Sequence, residues 1–220
     1  GLAVGVPTGK YANRAAGLYE PLLARSAETA RAWTDRPVLL LAGITGPTDQ
    51  AVGEARLAAS LGYHVGMVNV GDLKGQSEEA ILDHCRKVSE EIPIFGFYLL
   101  PEVGGMKLSS DFWRRFCGID NVVGIKIAPF NRYGTVDVVR GVVEARAEDK
   151  VAPYTGNDDH IVPDLLTPYQ FTRDGEPVSV HLVGRLLGPW AFRVRSAVAA
   201  VAPTHKTVDA RRWAPGQPSP

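Results

Sequence analysis

The feature that most restricts how this chain can fold is a regular alternation. Short apolar runs are each followed by a stretch of helical period, and the pair recurs about every 25 to 30 residues. The runs cover residues 2–6, 37–42, 64–70, 92–99, 121–126 and 151–154, with a further candidate at Tyr169, Gln170 and Phe171. Between them, apolar residues at helical spacing mark residues 15–33, 48–61, 109–116 and 135–147, and a further helix opens at Ser77 with Glu78 and Glu79 in its first turn. Thr48 or Asp49, Ser77, and Ser109 or Ser110 stand where helix N-caps belong. Strand and helix in strict alternation dictate βαβ units and a parallel sheet covered on both faces. No G-x-G-x-x-G follows a strand and no G-x-x-x-x-G-K-[ST] occurs. That removes the usual phosphate-cradling loops and favours a closed (β/α)8 TIM barrel over an open nucleotide-binding sheet. The expected organisation is one barrel domain over 1–202 and a disordered tail over 203–220, where Pro, Gly, Ser and Arg lack any period.

Charge narrows the partners. The chain has 220 residues with 24 basic and 24 acidic side chains, and no run of five like charges. A nucleic-acid or acidic-membrane surface would need clustered Lys and Arg, so small neutral or anionic ligands are expected instead. Cys85 and Cys117 fall in separate predicted helices without metal-ligand spacing and read as buried thiols of a reducing cytoplasm. No apolar stretch reaches the length of a membrane span, and no signal peptide is visible.

The residues with chemical potential gather around Asn121-Val122-Val123-Gly124-Ile125-Lys126, an apolar run ending in one lysine. At the C-terminal end of a barrel strand, a lysine is a candidate nucleophile. Side chains at i and i−2 share a face, so Lys126 belongs with Gly124, and Tyr98, ending the preceding strand, belongs with Gly96. If the two strands pair directly, Lys126 and Tyr98 emerge side by side, each above a glycine that leaves space for a ligand. Burial among Val123, Ile125 and Phe97 would depress the amine's pKa, and a neighbouring phenol could relay protons. Spacing alone favours a plainer reading, with Tyr98 capping the core and Lys126 pairing with a loop carboxylate such as Asp158. Asp158-Asp159-His160 reads as acids at a helix N-terminus, not as metal ligands. Asn131-Arg132-Tyr133 reads either as a substrate-contacting loop or as a turn with a solvated arginine. His64, His84, His181 and His205 show no partner spacing, and Phe112, Trp113 and Phe116 read as core or interface.

Tyr98-Leu99-Leu100-Pro101, then Asn121 to Lys126, then Tyr154-Thr155-Gly156-Asn157-Asp158-Asp159, resemble the dihydrodipicolinate synthase / N-acetylneuraminate lyase family of class I aldolases. The resemblance runs from residue 1 to about residue 195. It implies a (β/α)8 barrel, commonly a homo-oligomer, entered here at its second strand without the first βα unit. It implies that Lys126 forms a Schiff base with pyruvate or another 2-oxo acid, that Tyr98 relays protons, and that Thr8, Gly156 and Asn157 line the substrate pocket. No metal and no organic cofactor are implied, because the protonated imine is itself the electron sink. Three positions depart from the family pattern. The carboxylate-binding loop reads Gly5-Val6-Pro7-Thr8-Gly9, the second relay tyrosine falls near Leu73, and the substrate-binding arginine falls on Val103. The expectation is therefore a divergent lyase of the 2-oxo-acid type, and the alternative is a non-catalytic barrel that binds a small carbonyl or carboxylate ligand.

Overall fold

The computed structural model describes residues 1–6 and 14–185. In chain order it contains β1 (Leu2–Val4), α1 (Tyr19–Trp33), β2 (Leu40–Ile44), α2 (Thr48–Ser60), β3 (Val65–Val68), α3 (Glu78–Ser89), β4 (Ile94–Leu99) and α4 (Ser110–Cys117). β5 (Val122–Ala128), α5 (Arg132–Glu144), β6 (Ala152–Thr155), α6 (Ile161–Leu166), β7 (Tyr169–Arg173), β8 (Glu176–Val180) and β9 (Gly184–Arg185) follow. Among the described residues, β1 to β6 and then β9 form one seven-stranded parallel sheet in chain order, curled into a half-barrel. A parallel pair needs a crossover connection, and the helices that follow β1 to β5 supply it.

The strand expected at residues 169–171 exists but lies outside that sheet. β7 and β8 form a separate antiparallel hairpin turned by Asp174 and Gly175, both at positive φ. Asp-Gly is the pair such a tight turn requires. Arg173 fastens the hairpin to α5 by donating to the Val143 carbonyl at 2.6 Å and to Glu148 at 2.5 Å. Residues 203–220, Thr8 and His205 lie outside the described residues.

The caps explain where the helices begin. The Ser77 and Ser109 hydroxyls accept from the amides of Ala80 and Phe112, as their positions predict. α5 starts three residues before the predicted Thr135 because Asn131 takes the amides of Tyr133 and Gly134. α6 starts at Ile161, beyond the acids of residues 158 and 159, and is only one turn and a half long.

The sheet separates two apolar layers. Its outer face and the helices bury Ile94, Tyr98, Val122, Ile125 and Ile127 with Phe112, Trp113, Phe116, Val138 and Val142. Its inner face buries Leu41, Val65, Met67, Phe95, Phe97 and Ala128, with Leu99 and Tyr154 against them. Cys85 and Cys117 are both free and buried in the outer layer, where loss of water pushes their thiols up to about 12. Leu73 also lies in this layer, 3 % exposed. Among the described residues, no helix is long and apolar enough to cross a membrane.

Candidate active site

β4 and β5 pair as expected, but one residue out of the expected register. Ile94 sits opposite Val122, and the next pair is Phe95 with Gly124, so Val123 is an extra residue on β5. Beyond this bulge Phe97 is the partner of Lys126 and Tyr98 the partner of Ile127. Uninterrupted pairing from Ile94 would have set Lys126 opposite Tyr98. Because the side-chain period is two, the inserted residue moves the lysine to the other face.

Lys126 consequently rises on the inner face. Its Nζ lies 4.5 Å from the centre of the Phe97 ring, and its stem passes over Gly156. A Cβ on Gly156 would come within 2.8 Å of the lysine Cε and 3.0 Å of the Ala128 Cβ, so a side chain here would crowd the stem and push it aside. On the other side Tyr154 of β6 is the lysine's register partner. Removal from water lowers the lysine pKa to about 8, and the negative charge of Asp158 opposes that shift without cancelling it. A neutral amine at the C-terminal end of a parallel strand can attack a carbonyl carbon near neutral pH.

The predicted juxtaposition with Tyr98 is corrected. The Tyr98 ring turns outward, packs 5.2 Å from the Trp113 ring, and has its oxygen hydrogen-bonded to the Leu108 backbone. Burial raises its pKa and the Leu108 hydrogen bond opposes that rise, as for a phenol packed in the outer layer. The two glycines do not leave space for a ligand either. The Phe95 ring covers Gly124, where a Cβ would lie 2.3 Å from ring carbons, and Phe116 and Trp113 occupy the space beside Gly96.

Asn157 is held inside the protein. It is 4 % exposed and its amide is fully used inside the protein. Its nitrogen donates to Thr135 Oγ1 at 3.1 Å and Asp164 Oδ2 at 2.9 Å, and its oxygen accepts from the Phe130 amide at 3.0 Å. No donor of that side chain remains for a substrate. Asp164, 1 % exposed, is the centre of the cluster. It accepts from Thr155 at 2.7 Å, Tyr169 at 3.2 Å and Arg132 at 3.1 Å. Arg132 is thus a partly exposed ion-pair partner on the first turn of α5. Asp159 pairs with its neighbour His160 at the surface, and Asp158 acts on Lys126. Val103, at the family's arginine position, is 62 % exposed. Thr8 lies outside the described residues. The sequence reading missed Tyr154 and Asp164, although the alternation of β6 and the run Thr155 to Asp164 carried both.

No family model matches the chain. Two curated proteins, both 4-hydroxy-tetrahydrodipicolinate synthases, align with parts of it. That of Clostridium novyi is 27 % identical over 117 residues, 53 % of this chain and 38 % of its own length. That of Acaryochloris marina is 30 % identical over 144 residues, 64 % of this chain and 46 % of its own length. The alignments thus span less than half of either relative. The structure of the dihydrodipicolinate synthase of Acinetobacter baumannii complexed with pyruvate superimposes with a TM-score of 0.69 at 18 % identity, over 96 % of this chain and 68 % of that one. At that identity the likeness is one of fold.

Proposed function

This chain is a divergent, partial member of the dihydrodipicolinate synthase family, and from that premise we propose that it is a Schiff-base-forming aldolase or lyase acting on a 2-oxo acid such as pyruvate. In this reading the half-barrel is part of a (β/α)8 barrel, and Lys126 is the amine that captures the carbonyl. The observation that carries it is the environment of Lys126, desolvated by Phe97, held over Gly156 and lowered to a pKa of about 8. The neutral fraction at pH 8 is then about one half, against well under one per cent for a lysine near its ordinary value of about 10.4. Gly156 shapes the pocket floor, and Thr8 is assigned to the substrate carboxylate by the resemblance alone. Tyr98 as proton relay and Asn157 as substrate contact are assigned by the resemblance alone, the first with its ring packed against Trp113 and the second with both amide donors used inside the protein. A cytoplasmic homo-oligomer belongs to the same reading. Trp33, 85 % exposed beside Leu2 and Val38, supports self-association through that apolar surface.

Incubation with pyruvate followed by borohydride reduction tests the assignment. Mass spectrometry should find the reduced adduct on the peptide containing Gly124-Ile125-Lys126 and on few other lysines, and Lys126→Ala should abolish it. If a panel of 2-oxo acids leaves Lys126 unmodified, the aldolase reading fails, and the barrel is a non-catalytic binder of a small carbonyl or carboxylate ligand.

A further inference from the structure

We propose that Asn69 selects the acid that Lys126 captures, by donating its side-chain N–H to a hydroxyl which the 2-oxo acid carries beyond its carbonyl. The inference rests on the Schiff-base reading above and deepens it, naming the group that tells one 2-oxo acid from another.

Asn69 follows the last residue of β3 and continues its pairing, its backbone amide donating to the Ile44 carbonyl at 2.9 Å. It shares a face with Met67, two residues earlier, and Met67 belongs to the inner layer. Val68 is the partner of Gly96 and Phe97 the partner of Lys126, so Asn69, Phe97 and Lys126 stand in one row across three neighbouring strands. Phe97 joins the two ends of that row. The Lys126 Nζ lies 4.5 Å from the centre of its ring, and the same ring walls a small cavity together with Asn69, Thr45, Gly43, Gly5 and Val6. The cavity measures about 10 Å³, room for a single water-sized group.

The side chains around this cavity leave one donor over. Thr45 gives its hydroxyl to Asp72. Asn69 is 5 % exposed, and its side-chain oxygen accepts from the Gly71 amide at 2.8 Å. Only the oxygen can meet that N–H, so the bond also fixes which way round the side-chain amide sits. Its nitrogen is buried and has no hydrogen-bond partner among the described residues. Folded proteins rarely leave such a donor unpaired, and the cavity beside it is where an acceptor enters.

The cavity also decides what kind of acceptor fits. The described residues that line it carry no charge. A carboxylate held there by one neutral donor would lose more hydration than it regains. The Gly5 carbonyl oxygen lies where a side chain on Gly43 would stand, so the wall offers an acceptor as well as the Asn69 donor. A hydroxyl uses both, accepting from Asn69 and donating to Gly5. With the carbonyl carbon at Nζ on one part of the Phe97 ring, the carbon chain of the acid must cross that ring to bring its hydroxyl to the cavity. An acid without the hydroxyl still reaches the lysine, but it leaves the Asn69 donor unpaired.

The compounds 2-oxobutyrate and 4-hydroxy-2-oxobutyrate share one carbon skeleton and differ by one hydroxyl. Borohydride trapping over a range of each, read as the summed adduct on the Lys126 peptide with any cleaved form included, gives the concentration for half-maximal capture. The wild type should need at least about fivefold less of the hydroxy acid. Asn69→Leu keeps the volume and removes the donor, and it should bring the two concentrations within about twofold of each other. Both acids are compared on the same protein, so a misfolded fraction lowers both signals and leaves their ratio, and the wild-type comparison needs no variant at all. Equal capture of the two acids by the wild type means that the cavity holds only water, and it overturns the inference. A preference that survives in Asn69→Leu overturns it too, and both results leave the Schiff-base reading intact. No adduct on Lys126 in the wild type, with these acids or with pyruvate, overturns both.

Discussion

On its outer face the sheet buries Ile94, Ile125 and Ile127 completely against the helices, where Phe112, Trp113 and Phe116 interlock with ring centres 5.1 to 6.0 Å apart. On its inner face the same two strands present Phe95, Phe97 and Lys126, and the amine is only partly covered. Both faces are aromatic, and their residues alternate along one backbone. What differs is what each face does with a polar group. The outer face takes in Tyr98 and gives its oxygen a backbone partner, whereas the inner face takes in Lys126, strips water from it, and gives it a ring face and the charge of Asp158 in return. The first arrangement stabilises the fold. The second costs stability and leaves a reactive amine, which is how active sites are commonly built.

The largest effect should come from breaking the outer layer. Trp113 is 2 % exposed and touches Tyr98, Phe112 and Phe116. Trp113→Ala should cost about 4 kcal/mol, lowering the melting temperature by roughly 10 °C, because the surrounding rings cannot collapse into so large a void. Thermal unfolding followed by circular dichroism would measure it. A loss under about 1 kcal/mol would show that the outer layer is not the main source of stability.

Next in size is Asp164, which anchors the polar end of the outer face. Asp164→Ala removes the acceptor of Thr155, Asn157 and Tyr169 together and leaves buried donors unpaired, at a cost of about 3 kcal/mol in urea unfolding. Trapping at Lys126 per folded molecule should be unaffected. A variant that stays stable but loses trapping would mean that the cluster shapes the inner face after all.

A third effect concerns acid. His84 is 2 % exposed, its Nδ1 lies 3.1 Å from the Thr48 hydroxyl, and burial lowers its pKa to about 4. The folded state holds the ring neutral while the unfolded state protonates near 6.5, so between pH 6.5 and 4 the unfolded chain binds more protons. Stability is therefore present above pH 6.5 and is lost as pH falls through that window, by about 2 kcal/mol at pH 5. His84→Gln should flatten this part of the pH–stability curve. Persistence of the slope in the variant would assign it to other groups.

Much of this division could be read in the sequence, because it rests on residue type and period. The alternation of runs located β2 to β6, Ser77 and Ser109 marked two helix starts, and a lysine closing an apolar strand marked a candidate amine, although spacing alone favoured an ion-paired one. The side on which Lys126 emerges could not be read. Val122-Val123-Gly124-Ile125 is equally apolar whether Val123 is paired or bulged, and one unpaired residue exchanges the partner Tyr98 for Phe97. Nor does an amide announce whether it faces ligand or protein. The two donors of Asn157 are committed by Thr135 and Asp164, which arrive from α5 and α6 through tertiary packing. The hairpin was legible in principle, since Asp174-Gly175 separates two alternating runs, but Tyr169-Gln170-Phe171 alternates just as a barrel strand would.

The smallest effect has the opposite sign and tests the inner face directly. Holding Lys126 at a pKa of about 8 instead of about 10.4 disfavours the charged form in the folded state. That penalty is fully present below pH 8 and disappears as pH rises through 10.4, because in that window the unfolded chain binds more protons and stability increases with pH. In a sealed site the shift would be worth roughly 3 kcal/mol, and water reaching the partly buried side chain leaves about 1 kcal/mol. Lys126→Met keeps the stem and its packing on Phe97 and Gly156 while removing the charge. At pH 7 it should raise the melting temperature by about 2 to 4 °C and abolish trapping of pyruvate, and the gain should shrink towards zero above pH 10. If Lys126→Met is instead less stable than the wild type at pH 7, the lysine is a structural ion-pair partner, and the inner face resembles the outer one more than its burial suggests.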